Sequence, residues 1–84
     1  MKLLWIDEGW EDYLYWQKTD KKMVKKVNEL IRVSTRTPFE GIGKPEPLKH
    51  NLSGWWSRRI TIEHRLVYKV EKDNLIILSC RKHY

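Results

Sequence analysis

Six residues carry the chemistry that this sequence could do: Glu46, Lys49, Arg59, Arg65, His83 and Tyr84. A carboxylate, an imidazole and several cations suit one reaction on RNA that calls for no metal and no cofactor. A base takes the proton of a ribose 2′-hydroxyl, and the oxygen attacks the adjacent phosphorus. A guanidinium stabilises the charge developing on the phosphoryl oxygens, and an acid protonates the departing 5′-oxygen. By spacing alone this signal is not specific, since any small basic domain holds such residues.

Two of the six close the chain, in the run Ser79-Cys80-Arg81-Lys82-His83-Tyr84. Termini usually carry little. Here the apolar run Leu75-Ile76-Ile77-Leu78 leads straight into them. If that run is a core strand, the histidine is held on a rigid scaffold beside cations, a proton-transfer group in an anion-binding setting. The plain alternative is a solvated basic tail. Glu46 stands between Pro45 and Pro47, with Lys44 and Lys49 close by, in an irregular segment at 37–48 that holds all three prolines. Proline fixes φ, so this segment reads as a stiff loop presenting one carboxylate rather than a slack linker.

These groups need elements to place them. Leu3-Leu4-Trp5-Ile6 reads as a short strand. Asp7 is a helix-cap signal, and Trp10, Tyr13, Leu14 and Gln17 then fall on one helical face. Thr19-Asp20 is a second cap. After it, Met23, Val24, Val27, Leu30 and Ile31 follow the spacing of an amphipathic helix. Lys21, Lys22, Lys25, Lys26 and Arg32 take the rest of its surface, either as a solvated face or as a patch tracking a polyanion backbone. With only Thr19-Asp20 between them, the helices must form a hairpin. From Gly54 the pattern turns to β, with strands at 55–60, 65–70 and from 75 onward, the last two joined at Asp73-Asn74. Close spacing predicts an antiparallel meander with the helices on its apolar face. The fold class is α+β: two N-terminal helices on a twisted antiparallel sheet.

Register decides whether the candidates meet. Arg59 and Arg65 share a face if an odd number of residues separates them in direct pairing. Arg65 and His83 share one across the next turn under the same condition. An even loop separates them unless a bulge intervenes.

Composition bounds the rest. Eighty-four residues make one domain, spanning 1–84, near the lower end of what folds without staples. A net charge of +6 and a pI of about 9.6 suggest a polyanion partner, nucleic acid or acidic protein. A single cysteine, Cys80, excludes an internal disulfide and fits a reducing cytoplasm. No apolar run nears the ~20 residues of a membrane span, and no signal-peptide core follows Met1-Lys2. Cys80 reads as a small core residue and His50 and His64 as surface or structural residues. Trp5, Trp10 and Trp16 read as packing. Strand alternation sends one of Trp55 and Trp56 inward and the other outward.

Larger blocks are more specific. Trp10-Glu11-Asp12-Tyr13, Lys44-Pro45-Glu46-Pro47-Leu48-Lys49, Leu52-Ser53-Gly54-Trp55-Trp56-Ser57-Arg58-Arg59-Ile60, Glu63-His64-Arg65-Leu66-Val67-Tyr68 and the terminal His83-Tyr84 resemble the YoeB toxins of the RelE/ParE superfamily. The resemblance covers essentially the whole chain. It implies a RelE-like, microbial-ribonuclease-like fold and cleavage of mRNA in the A site of the 70S ribosome. It implies Glu46 as general base, His83 as general acid, Arg65 as the phosphate-stabilising residue and Tyr84 as a substrate-positioning site residue. Lys49 and Arg59 match basic residues around the scissile phosphate. It also implies a cognate antitoxin whose acidic C-terminal segment wraps the toxin, and leaves a homodimer open. A gyrase-directed relative on the same fold, or an RNA-binding module without catalysis, are the rival readings.

Overall fold

The computed structural model describes residues 1–82. The chain runs β1 (Lys2–Trp5), α1 (Asp7–Thr19), α2 (Lys21–Arg36), β2 (Glu46–Pro47), a single 3-10 turn (His50–Leu52), β3 (Trp56–Arg59), β4 (Arg65–Glu71) and β5 (Asn74–Ser79). The strands form one sheet in the order β1-β5-β4-β3-β2, with both helices against one face.

The α+β layering follows the sequence pattern, and β3, β4 and β5 form the expected antiparallel meander. The sheet as a whole is mixed, because β1 lies parallel to β5, with Leu4 opposite Ile76. The long connection that a parallel neighbour needs is the helical hairpin followed by β2, β3 and β4. A second difference is β2, which pairs antiparallel with β3 inside what reads as irregular sequence. Pro47 has no N–H to donate, so this strand is confined to the sheet edge, where it sits.

Asp20 caps α2 as its type predicts, accepting from the Lys22 and Met23 N–H groups at 3.0 and 3.3 Å. Asp7 does not cap α1. Ile6 holds that position, and Asp7 and Glu8 lie in the first helical turn, where carboxylates favour the helix dipole. On α2 the expected face is the buried one: Met23, Val27, Leu30 and Ile31 enter the core with Leu66, Tyr68, Leu75 and Ile77 of the sheet. On α1 the buried face is set by Gly9 and Trp16, while Trp10 and Gln17 are exposed.

The reason lies in how closely α1 meets β5. A Cβ on Gly9 would stand 2.8 Å from the Ile77 carbonyl oxygen and 3.2 Å from the Leu78 carbonyl carbon. The backbone approach that glycine permits fixes the rotation of the helix, and a hydrophobicity pattern cannot register a missing side chain. Trp10 joins Trp5 and Tyr13 in an aromatic cluster beside the core. Among the described residues no helix is long and apolar enough to cross a membrane.

Gly9→Ala tests this contact. Ala favours a helix interior by about 1 kcal/mol over Gly. We expect the variant nonetheless to lose about 1–3 kcal/mol in urea unfolding, because the steric conflict is with backbone. An unchanged or raised midpoint would contradict the close approach.

Candidate active site

The helices leave the other face of the sheet open, and register places Glu46, Arg59 and Arg65 on it. Glu46 pairs with Ser57, Ser57 with Val67, and Val67 with Ser79, one row across four strands. Residues directly opposite share a face, so all four side chains stand on this side. Arg59 pairs directly with Arg65 and forms the next row, roughly 7 Å along the strands. Five residues, 60–64, separate the two arginines, the odd number their shared face requires. Ser57, Val67 and Ser79 are buried, so small side chains floor the site while Glu46 and Arg59 stay exposed at its walls.

The β4–β5 hairpin turns at Lys72-Asp73, one residue before the expected position, with both residues at positive φ (51° and 61°). A two-residue loop is even and would turn the end of β5 away from Arg65. A bulge between Val67 and Tyr68 corrects this, so that Val67 faces Ser79 although Tyr68 faces Ile77. His83 and Tyr84 lie outside the described residues. Lys49 lies just past β2, exposed, immediately before the 3-10 turn and on neither row.

Arg65 is oriented before any substrate arrives. Its Nη1 donates to the carbonyl oxygens of Thr61, Ile62 and His64 at 3.0, 3.2 and 3.4 Å. A guanidinium fixed along one edge is preorganised to meet an anion with the rest of its fork. Arg59 lies against a groove of about 380 Å³ shared with Lys25, Lys26, Glu29 and Ile42. Lys25 and Lys26 of α2 thus border the same groove as Arg59.

Glu46 owes its place to a residue that the sequence reading passed over. Arg58 is fully buried under the loop at 37–45. Its Nη1 donates to the Ile42 carbonyl at 2.6 Å, and its Nη2 donates to the Glu40 carbonyl at 2.8 Å and also to the Thr37 carbonyl. Its Nε donates to the Tyr68 hydroxyl at 3.1 Å, which in turn donates to the Pro38 carbonyl at 2.5 Å. Next to it, the Arg59 N–H donates to the Gly43 carbonyl at 2.6 Å. Gly43 has φ +81°, and a Cβ there would press on Arg58 and Arg59 at 3.1 Å. The loop is thus tied down on both sides before it enters β2. Strand alternation carried a signal for this, since Arg58 shares the parity of inward-facing Trp56 and Ile60.

The C-terminal run is held as far as it is described, which excludes a solvated tail up to Lys82. Trp16 Nε1 donates to the Cys80 carbonyl at 2.8 Å, and the Cys80 N–H donates to Asp12 Oδ2 at 3.0 Å. The Arg81 guanidinium lies 3.7 Å from the centre of the Tyr15 ring. Burial pushes the Cys80 thiol up to about 12, with Asp12 adding to the effect, so the thiol stays protonated and serves packing. The tryptophans divide as alternation predicts: Trp56 packs on the core, and Trp55 lies under Lys69 Nζ. No group of three or more His, Cys, Asp or Glu among the described residues is placed to hold a metal ion.

Two helices on a mixed sheet with an open cationic face make up the RelE-like α+β fold of small toxins. A RelBE2 toxin–antitoxin complex from Mycobacterium tuberculosis contains a chain of this fold, with a TM-score of 0.74 at 20% identity over 98% of this chain and 96% of that one. The chain belongs to the YoeB-like toxins of bacterial type II toxin–antitoxin systems, whose family model matches residues 5–84. It is 71% identical to Toxin YoeB of Escherichia coli (strain K12) over the whole of both chains. It superposes on a YoeB/ParE toxin from Agrobacterium tumefaciens with a TM-score of 0.97, at 56% identity over the whole of both chains. A YoeB-YefM complex from Staphylococcus aureus contains a similar chain, with a TM-score of 0.91 and 50% identity over 100% of this chain and 98% of that one.

Asp12 offers a test of the tail's anchorage. Burial raises its carboxyl above the ordinary value of 3.8, with Glu8 adding to the rise, while the Cys80 N–H, Arg81 and His64 pull it down. The folded chain therefore holds this proton more tightly than the unfolded chain. Ionisation weakens the fold, and the loss disappears as pH falls below the ordinary carboxylate value. Asp12→Asn keeps a carbonyl acceptor for Cys80 and cannot ionise. Its stability relative to the parent should be greatest near neutrality and should shrink as the pH is lowered through the Asp12 titration. A difference independent of pH in urea unfolding would contradict this.

Proposed function

We propose that this toxin is a ribosome-dependent endoribonuclease that cuts mRNA in the A site and so arrests translation. The observation that carries the reading is the arrangement of Glu46, Arg59 and Arg65 in adjacent rows on one open face. On this reading Glu46 takes the proton of the 2′-hydroxyl, and the 2′-oxygen attacks the adjacent phosphorus. Arg65, with Arg59 beside it, stabilises the charge growing on the non-bridging oxygens. His83 gives its proton to the departing 5′-oxygen, leaving a 2′,3′-cyclic phosphate upstream and a 5′-hydroxyl downstream. Tyr84 positions the substrate, and Lys49 adds positive charge beside the scissile phosphate. The reaction draws on side chains alone, with no metal or cofactor.

Arg59 and Arg65 beside Glu46, in a chain of net charge +6, support a phosphate backbone as ligand. The same charge suits an antitoxin with an acidic C-terminal segment, which we take as the regulating partner. A second copy of the chain is a further proposed partner. Met1, Leu3, Leu4, Ile6 and Trp10 leave an exposed apolar patch along edge strand β1, a surface of the kind that proteins cover by association. The cytoplasm, where ribosomes and mRNA meet, is the proposed place of action.

The test is cleavage in a cell-free translation system, with mRNA ends mapped by primer extension with and without ribosomes. The parent should give discrete cuts only when ribosomes are present. Glu46→Ala and His83→Gln should each lower cutting by about 10²–10⁴-fold, the usual contribution of a general acid or base. Intact mRNA in every lane would overturn the ribonuclease reading and favour a binding module.

A further inference from the structure

We infer that His64 is a positioning residue for the proposed reaction, anchoring Lys82, the residue that precedes the proposed general acid, His83. The inference rests on the reading of His83 given above. It adds a residue whose sequence context suggests only a surface or structural role.

His64 is fixed from every side. Its carbonyl accepts from the N–H groups of Ile60 and Thr61 at 2.9 and 3.2 Å. Its own N–H donates to Thr61 Oγ1 at 3.1 Å, and its ring meets Trp16 edge-on at 4.8 Å. The ring is thus set by the β3–β4 loop and by α1 together. From that position Nδ1 accepts the Lys82 N–H at 2.7 Å.

The next residue completes a clamp. The Arg65 N–H donates to the Lys82 carbonyl at 2.8 Å. Two consecutive residues therefore hold the amide and the carbonyl of Lys82. Lys82 is also in the left-handed region, with φ +62°. A side-chain-bearing residue stays there only when its surroundings fix it. The carbonyl half of the clamp is backbone, available to any residue at 65. The amide half depends on the His64 ring.

The acceptor role also fixes the tautomer. Nδ1 must carry its lone pair, so the proton sits on Nε2, 3.9 Å from Glu63 Oε1. His64, whose ring holds Lys82, thus directly precedes Arg65, the proposed phosphate-stabilising residue at the start of β4.

The test compares four purified proteins: parent, His64→Phe, His64→Asn and His83→Gln. Phe keeps a ring against Trp16 and removes the acceptor. Asn offers Oδ1 close to the place of Nδ1. Single-turnover cleavage on programmed ribosomes separates the rate constant from ribosome affinity, and amide hydrogen exchange reports on Lys82. His64→Phe should lower the saturating rate constant by about 10–100-fold, as a misplaced catalytic group does. It should leave ribosome affinity unchanged and speed exchange at the Lys82 amide. His64→Asn should restore most of both. A parental rate constant in His64→Phe, with His83→Gln inactive, would overturn the role of His64 and leave His83 as the acid. Equal loss in His64→Phe and His64→Asn would show that His64 supports the fold alone and would likewise overturn it. A parental rate in His83→Gln would remove the acid itself, and the inference with it.

Discussion

A buried charged group, with no carboxylate partner among the described residues, holds this site together. Arg58 sits beneath the loop at 37–45 and satisfies the carbonyls of Thr37, Glu40 and Ile42. Bringing a guanidinium out of water is expensive, and only a dense set of well-directed acceptors offsets it. The loop supplies those acceptors, because it has no secondary structure of its own to use them. Each side thus meets the other's unsatisfied groups. The planar, five-donor fork of arginine spans carbonyls from three residues at once, which the single ammonium of lysine cannot do. Tyr68 adds a fourth partner and links the clamp to Pro38. The entire arrangement fixes the point at which the chain turns into β2, and therefore the place of Glu46 at the end of its row.

The opposite end of the site is built on the same logic with different parts. The run at 80–82 has no strand partner through most of its length, so side chains of α1 and the β3–β4 loop take its polar groups. Trp16 and Asp12 hold Cys80, and Arg81 stacks on Tyr15. Gly9 lets α1 come close enough to β5 for these side chains to reach. The helix that closes the core thus also fixes Cys80 and Arg81. Between the two anchored ends lies a buried row of Ser57, Val67 and Ser79.

Much of this could be read from residue order, and the remainder has identifiable causes. Helix α2 was legible because its apolar spacing and its Asp20 cap agree. The shared face of Arg59 and Arg65 could be stated only as a condition on loop parity, and the direct pairing of the two residues meets it. The bulge that realigns β5 was foreseen only as a condition, since nothing in Leu75-Ile76-Ile77-Leu78 marks where an extra residue falls. The parallel pairing of β1 with β5 joins residues some seventy apart, and no local pattern encodes it. The buried face of α1 was misjudged because glycine marks contact by absence. Arg58 and His64 act through backbone carbonyls and amides of distant residues, partners that have no residue-type signature.

The chemistry of the new RNA ends tests the central claim most directly. In-line attack by the 2′-oxygen breaks the bond to the 5′-oxygen. The downstream fragment then begins with a 5′-hydroxyl, and the upstream one ends in a 2′,3′-cyclic phosphate or its hydrolysis product. Ribosome-bound mRNA cut by the parent protein should give downstream fragments that polynucleotide kinase labels without prior phosphatase treatment. Downstream fragments that carry a 5′-phosphate, and accept label only after phosphatase, would mean that water attacks and the 3′-oxygen leaves. That result would contradict a site built from Glu46, Arg65 and a terminal histidine for transfer to the 2′-oxygen.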